Sequence, residues 1–405
     1  MDGVLARLRA KLAGAAARPG GPGHLNAALP EADVAAFEAE HGVRLPAAYR
    51  AFVTGFGDGG AGPDLGVLPL RRAWAEVVAD LDGHLAKPSP FVPGRRYDDE
   101  WCEEFLEREG DDAEYYRGAL AVNHGGGGIY TLLVVTGPAR GRLVRVDAAE
   151  HSAPRVLEDA DFLAWYERWL DELLAGYDLR YFALKLPGGE AEFLAAAGDP
   201  DAAVRRQAVL SFSAPPELSA SARRAVAEAV GDADAAVRRT ALYTARYQRI
   251  GEAEAAARDA LADADPGVRE AALGALAALA VPDAAALARA ALRDTSRDVV
   301  ARAVWTLQDL ADYTADDAAP LLSSDDPKIR ITGAWSLHKA RGAGVADLIA
   351  AAFADPVPEV RSGAVHSAER LRLPELRPAI AALLATETDV LVRNSLLRWQ
   401  EKDPG

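Results

Sequence analysis

Seven times in the second half of the chain an acidic or small polar residue is followed five positions later by Val, Ile or Leu. Arg usually comes next, and a small residue stands four places beyond the aliphatic anchor. The anchors are Val204, Val237, Val268, Val299, Ile329, Val360 and Leu391, spaced by 30 to 33 residues. A period of that length with two helical patterns in each unit means stacked helix pairs, because one pair cannot bury its apolar face without a neighbour. Residues 190–405 are therefore predicted to form an all-α solenoid of seven helical hairpins.

The details of each unit support helices. Asp199, Asp232, Asp263, Asp294 and Asp355, with Ser324 and Thr386 in the same place, are predicted N-caps whose oxygens accept from first-turn N–H groups. Pro200 and Pro356 follow directly, where a helix tolerates proline. Each anchor forms one apolar arc with the residues four, five and eight places on, such as Val268, Ala272, Leu273 and Leu276. The first helix of each pair is predicted to end at Val230, Leu261, Leu292, Leu322, Phe353 and Leu384. Arg205, Arg238, Arg269, Arg330 and Arg361 follow their anchors, while Val300 and Val392 interrupt the series. A row of guanidinium groups can grip an anion. Matched numbers of Asp and Arg instead favour a ladder in which each Arg pairs with an Asp of its own or the next unit.

The segments DPDAAVRRQA, DADPGVREAA and DPVPEVRSGA make residues 195–400 resemble HEAT-like repeats of the short type also found in relatives of phycobilisome lyases. That resemblance implies a fold rather than an activity, since the same scaffold serves assembly proteins, tetrapyrrole lyases and DNA-repair proteins.

A ridge also emerges from the repeat. The residue six places after each anchor lies opposite the apolar arc, and these residues are Leu210, Tyr243, Gly274, Trp305, Trp335, His366 and Leu397. Arg246, Gln308, His338 and Glu369 border them three places on. One reading puts Tyr243, Trp305 and Trp335 on the concave face as anchors for a protein partner, with His366, Arg246, Gln308 and His338 alongside. The other folds the rings sideways to fill gaps between repeats.

The first half lacks this period. Residues 1–23 read as an amphipathic helix, with Val4, Leu5, Leu8 and Leu12 at helical spacing, and a tether at Pro19–Gly23. Residues 24–186 read as an α+β domain, closed by the turn-forming stretch Leu186–Gly189. Helices are predicted over 30–40 and from Pro46 to Gly55, strands over 119–122, 129–135 and 143–146 in an antiparallel meander, and an aromatic helix over 161–174. The runs GVRLPAAYRAFVTGFGDGG, GVLPL, TGPARGRLVRVD and DFLAWYERWLDELL resemble the SUKH superfamily, with Leu45, Pro46, Tyr49 and Phe52 at that family's spacing. The chain departs from it where Asn-Gly usually follows the second helix, reading Phe56-Gly57-Asp58-Gly59 instead. The superfamily covers fungal cell-wall-synthesis regulators and bacterial proteins regarded as immunity proteins against polymorphic toxins.

Several function classes recede. Net charge is −16, divided as −10 over residues 1–190 and −6 over the rest, so neither half offers the positive surface that nucleic acid requires. Cys102 is the only cysteine, which removes disulfides and multi-thiolate metal sites. His24, His41, His84, His124, His151, His338 and His366 occur singly, without metal-ligand spacing. Gly55, Gly57 and Gly60 satisfy G-x-G-x-x-G but end a helix instead of opening one, and Gly125–Gly128 joins two strands, so neither cradles a phosphate. Charges interrupt every apolar run, so no membrane span or secretory signal is expected and the protein is expected in the cytoplasm. The acidic run Asp98, Asp99, Glu100, Glu103, Glu104, Glu107, Glu109, Asp111, Asp112 and Glu114 reads either as a solvated helix face or as a docking surface for a basic partner, centred on Glu103, Glu104 and Glu107. No catalytic constellation, cofactor or metal is indicated.

The expectation is thus a non-enzymatic protein that binds a protein partner, by resemblance an immunity-type protein recognising a toxin, with a basic toxin domain as one candidate. The alternatives are an assembly scaffold or regulator, and a HEAT-like lyase or nucleobase-acting enzyme.

Overall fold

The protein's structure, a computed structural model, describes residues 2–78, 83–110, 112–149 and 152–402. Asp111 and His151, named above, lie outside the described residues. The chain forms two compact units, Met1–Asp199 with Leu210–Leu218, and Pro200–Val209 with Ser219–Gly405.

In the first unit, α1 (Asp2–Ala16), α2 (Glu31–Glu40), α3 (Ala47–Gly55), α4 (Leu70–Val78) and α5 (Asp99–Glu109) precede a four-stranded sheet. Its strands are β1 (Ala119–Gly126), β2 (Ile129–Val134), β3 (Leu143–Asp147) and β4 (Arg155–Val156), antiparallel in the order β1-β2-β3-β4, followed by α6 (Phe162–Ala175). The meander is as predicted, with β4 and α4 in addition. Asp161 caps α6 by accepting from the Ala164 N–H at 2.9 Å, and Gly176 closes it in the left-handed region. The aromatic face of α6 fills the core: Phe162 meets Tyr49 and Phe52, each with ring centroids 4.9 Å apart, and Phe52 also meets Tyr166. Such pairs contribute about 0.5–1.5 kcal/mol each beyond the area they bury. On the opposite side of α6 the buried Arg168 forms a forked pair with Asp159 at 2.8 and 2.9 Å, reaches Glu172 at 3.1 Å and lies 3.9 Å from the Phe182 ring. The loop after α3 keeps a turn role in its changed sequence. Asp58 accepts from the Leu70 N–H at 2.7 Å, and Gly60 has φ +104°, where an added Cβ would meet the His24 carbonyl at 2.4 Å.

Helix α1 is part of this core, with Leu5 and Leu8 buried in it. Glu167 of α6 clamps it by accepting from Arg7 at 2.5 and 2.8 Å and from Lys11 at 2.7 Å. The Arg7 hydrogen bond, joined by Lys11, holds the Glu167 carboxyl down at about 2. A depressed carboxyl contributes stability that is full above its unfolded value, near 4.3, and is lost as pH falls toward 2. Glu167→Gln is expected to weaken the docking of α1 by about 1–2 kcal/mol at neutral pH. Hydrogen exchange should then rise across residues 2–16 while α6 stays protected, and unchanged exchange in α1 would contradict the clamp.

In the repeat region α7 (Glu190–Ala197) belongs to the first unit, so Leu186–Gly189 lies within that unit. Then follow α8 (Ala202–Ser211), α9 (Ala220–Ala229), α10 (Ala235–Gln248), α11 (Glu254–Asp259), α12 (Pro266–Ala278), α13 (Ala284–Ala291) and α14 (Arg297–Asp309). The row ends with α15 (Ala315–Leu322), α16 (Pro327–Ser336), α17 (Val345–Ala352), α18 (Pro358–Leu371), α19 (Arg377–Thr386) and α20 (Val390–Lys402). The even-numbered helices, the second of each pair, carry the anchors. Val237, Val268, Val299 and Val360 are buried with the small residues Ala241, Ala272, Ala303 and Ala364 one turn on. These second helices pack side by side along the row, whereas successive first helices touch little.

The arginines form the ladder. Arg205, Arg238, Arg269 and Arg330 each donate through Nε and Nη2 to the Asp in the turn between the two helices of the next hairpin, Asp232, Asp263, Asp294 and Asp355, at 2.7–3.3 Å. Arg361 does the same to Glu387 at 2.7 Å. The Nη1 groups of Arg238, Arg269, Arg330 and Arg361 also donate to two backbone carbonyls each in their own entry turns.

Two details depart from expectation. The carboxylates of Asp232, Asp263, Asp294 and Asp355 do not cap helices. Each accepts through Oδ1 from the backbone N–H two residues on at 2.8 Å, forming a turn in which Oδ1 also accepts from Nη2 of the preceding Arg and Oδ2 from its Nε. The caps come later: Asp234 accepts from Val237, Asp265 from Val268 and Asp326 from Lys328. The last hairpin holds one extra residue. Leu391 is 74% exposed and Val392 1%, so Val392 is the anchor, Glu387 replaces Thr386 in the ladder, and Leu397 leaves the ridge position.

Candidate functional site

The ridge residues come from the middle of successive second helices, on the side away from the first helices. Tyr243, Trp305 and Trp335 are 42%, 53% and 43% exposed. Each is braced from behind. The Tyr243 hydroxyl donates to Glu270 of the next second helix at 2.9 Å, and Arg302 donates to the same carboxylate at 2.5 Å. The Arg302 guanidinium then lies 5.3 Å from the Trp305 ring. Gly274, the ridge position between them, is covered by Arg246 and Arg302, which an added Cβ would meet at 3.4 and 3.6 Å. Trp335 lies across Gly363 of α18, where a Cβ would clash with its ring at 2.6 Å, and it meets the His366 ring at 4.7 Å. Trp335 therefore does both things weighed from the sequence: it fills the space beside the next helix and leaves nearly half its surface in solvent. Leu210 and His366 are half-buried.

Between α14 and α16 the second helices are packed less closely than between α12 and α14 or between α16 and α18, and an open groove of about 520 Å³ runs there. Trp305 and Trp335 form its walls. Gln308 crosses its floor, donating to the Ser336 carbonyl at 3.5 Å, and the His338 Nδ1 lies 2.9 Å from the Trp335 carbonyl. Burial above all holds the His338 and His366 imidazoles below their ordinary values. Among its lining residues Arg297 and Lys339 alone carry fixed charge. Arg297, Lys339, Ile331 and Arg302 did not register in the sequence reading, because none occupies the ridge position or its polar edge.

The acidic run divides in the structure. Asp98 caps α5 through the Trp101 N–H, Asp99 accepts from Ala153, Glu109 pairs with Arg117, and Glu114 with Lys87 and Arg117. Glu103, Glu104 and Glu107 are exposed and carry no ion pair among the described residues. Glu104 also lines a small groove beside Arg95, Arg108 and Arg117, which interrupts the negative surface. No group of His, Cys, Asp and Glu able to hold a metal occurs among the described residues, and no helix there is long and apolar enough to cross a membrane.

Family models divide the chain where its architecture does. Residues 28–168 match the SMI1 / KNR4 family (SUKH-1), and residues 222–308 and 315–398 match HEAT repeats. The chain is a SUKH domain fused to HEAT repeats. In the SUKH domain the residues that carried the resemblance, Tyr49 and Phe52, sit at the centre of the aromatic core. Their role there is packing. The ridge and the groove belong to the HEAT repeats. A search of curated proteins finds no match. Among solved structures, YIBA_ECOLI is similar at 16% identity and a TM-score of 0.42, over 61% of this chain and 90% of that one. A designed armadillo repeat protein in complex with the peptide (KR)4 is similar at 16% identity and a TM-score of 0.35, over 45% and 100%. The complex of CpcE and CpcF of phycocyanin lyase from Nostoc sp. is similar at 15% identity and a TM-score of 0.32, over 53% and 94%. SUKH and HEAT families are typically non-catalytic, and together they suggest protein interaction.

Proposed function

We propose that this chain is a non-enzymatic recognition protein, of the immunity type that its SUKH domain suggests, which holds a protein partner on the second-helix face of its HEAT repeats. The observation that carries the reading is the set of three braced, solvent-facing rings, Tyr243, Trp305 and Trp335, on one side of the repeats. Large aromatic side chains held in place before binding lose little conformational freedom on association, and they dominate the energetics of protein interfaces. On this reading the partner is a protein toxin or another protein. Capture from the native cell with the full chain as bait, followed by mass spectrometry, tests the reading: a protein retained by the wild type and lost from the Trp305→Ala variant supports it, and identical captures overturn it.

The free carboxylates of α5 favour a basic surface on that partner. Reversing Glu103, Glu104 and Glu107 to Lys is expected to slow association by about tenfold at low salt and to flatten its salt dependence, with the melting temperature unchanged. Stopped-flow association with the captured partner measures this. An unchanged rate would return α5 to the status of a solvated helix face.

A further inference from the structure

The groove between α14 and α16 has a charge pattern opposite to that of the chain. The protein carries 61 acidic and 45 basic side chains, yet the fixed charges in the groove are Arg297 and Lys339, both exposed. The ladder arginines are held in forked pairs. Arg297 and Lys339 carry no ion pair among the described residues. Arg297 opens α14, while Lys339 lies just past the end of α16, so the two cations stand at opposite ends of the furrow with the two Trp rings between them. Arg297 precedes its repeat anchor by two positions and Lys339 follows its own by ten. Twelve helical steps amount to about 18 Å along the axis, a span that an extended chain covers in about five residues. A furrow between neighbouring helices suits the width of an extended chain better than a helix about 10–12 Å across.

We infer that this groove takes an extended acidic segment of a protein partner, with two carboxylates about five residues apart and an apolar side chain between them, seated between Trp305 and Trp335. The carboxylates meet Arg297 and Lys339, which carry no ion pair among the described residues, and the apolar side chain covers rings that otherwise face water. This inference rests on the partner-binding reading and goes beyond it by fixing the chemistry and the carboxylate spacing of the bound segment.

The test uses the full chain and a fluorescein-labelled hexapeptide with glutamate at both ends, leucine at the third position and alanine elsewhere. Its counterpart has lysine in place of both glutamates. Fluorescence anisotropy is expected to show the glutamate peptide binding at least about tenfold more tightly than the lysine peptide. Arg297→Glu with Lys339→Glu should invert that order, and Trp305→Ala should weaken both peptides. Preference for the lysine peptide, indifference to the charge reversal, or no binding up to millimolar peptide would overturn the assignment. Capture from the native cell separates the two levels. Loss of the partner from both the charge-reversed and the Trp305→Ala baits supports both. Loss from the Trp305→Ala bait alone leaves the binding face standing and removes the acidic segment, and loss from neither removes both. Self-association of the wild type in ultracentrifugation that disappears on charge reversal would make a second copy the occupant and overturn the assignment to a separate partner.

Discussion

Arg269→Met is expected to destabilise the repeat unit by about 2–3 kcal/mol and to split its unfolding into two steps. The Arg269 guanidinium makes a forked pair with Asp294 at 2.8 Å and donates to the carbonyls of Asp263 and Ala264. Both side chains are about five-sixths buried. Removing the guanidinium leaves a largely dehydrated carboxylate and two carbonyls with a donor missing, which lies between the cost of losing an exposed pair and that of breaking a buried one. Because stability in a stacked array is a sum of unit and interface contributions, weakening one interface separates the blocks on either side. A double-mutant cycle of Arg269→Met with Asp294→Asn, followed by circular dichroism in urea, should give a coupling above about 1 kcal/mol. A coupling near zero would make the ladder a surface ornament.

The same ladder sets an acid limit. Hydrogen bonds from Arg205, Arg238, Arg269 and Arg361 hold the carboxyls of Asp232, Asp263, Asp294 and Glu387 below their usual range. At Asp355 burial pushes upward, but Arg330 and the Val357 N–H outweigh it. Carboxyls depressed in the folded state contribute stability that is complete above the unfolded values near 4 and is lost as pH falls through the folded values. The melting temperature of the repeats should therefore drop steeply below about pH 4, and Arg269→Met should flatten that drop.

Trp305→Ala is expected to weaken binding of the captured partner by at least about 2 kcal/mol, roughly thirtyfold in affinity, with the melting temperature nearly unchanged. Trp335→Ala should reduce both. The difference lies in what stands behind each ring: Trp305 is 53% exposed and backed by the Arg302 side chain, whereas Trp335 fills the space over Gly363 and against His366. Titration calorimetry of both variants, with thermal melts alongside, separates binding from packing. A Trp305→Ala protein that binds normally but melts early would place that ring among the packing residues and remove the second-helix face as the partner's site.

Local pattern carried much of this architecture. The period of the anchors, the strand runs with their turns and the spacing of the aromatic residues over 161–174 are statements about neighbours a few residues apart, and helix and strand geometry turns such spacing directly into faces. Exposure of Tyr243, Trp305 and Trp335 followed from the same geometry, since six steps past an anchor leads away from the packed side of any helix. What the spacing left open was decided by stacking. The Asp residues of the entry turns read as caps from sequence, but Arg side chains arriving from 25 to 27 residues upstream engage both carboxylate oxygens, and capping passes to residues nearer the helix. Slippage by one residue at Leu391 is invisible to a repeat count that tolerates either aliphatic residue, and only burial of Val392 resolves it. Arg297 and Lys339 share no repeat position, and a groove that brings them together exists only because neighbouring hairpins set α14 beside α16. The sequence by itself determined which faces are apolar and where each helix pair recurs, because those depend on backbone geometry alone. Only the tertiary structure decided which side chains meet across repeats, because that depends on how far one helix is displaced along and around the next.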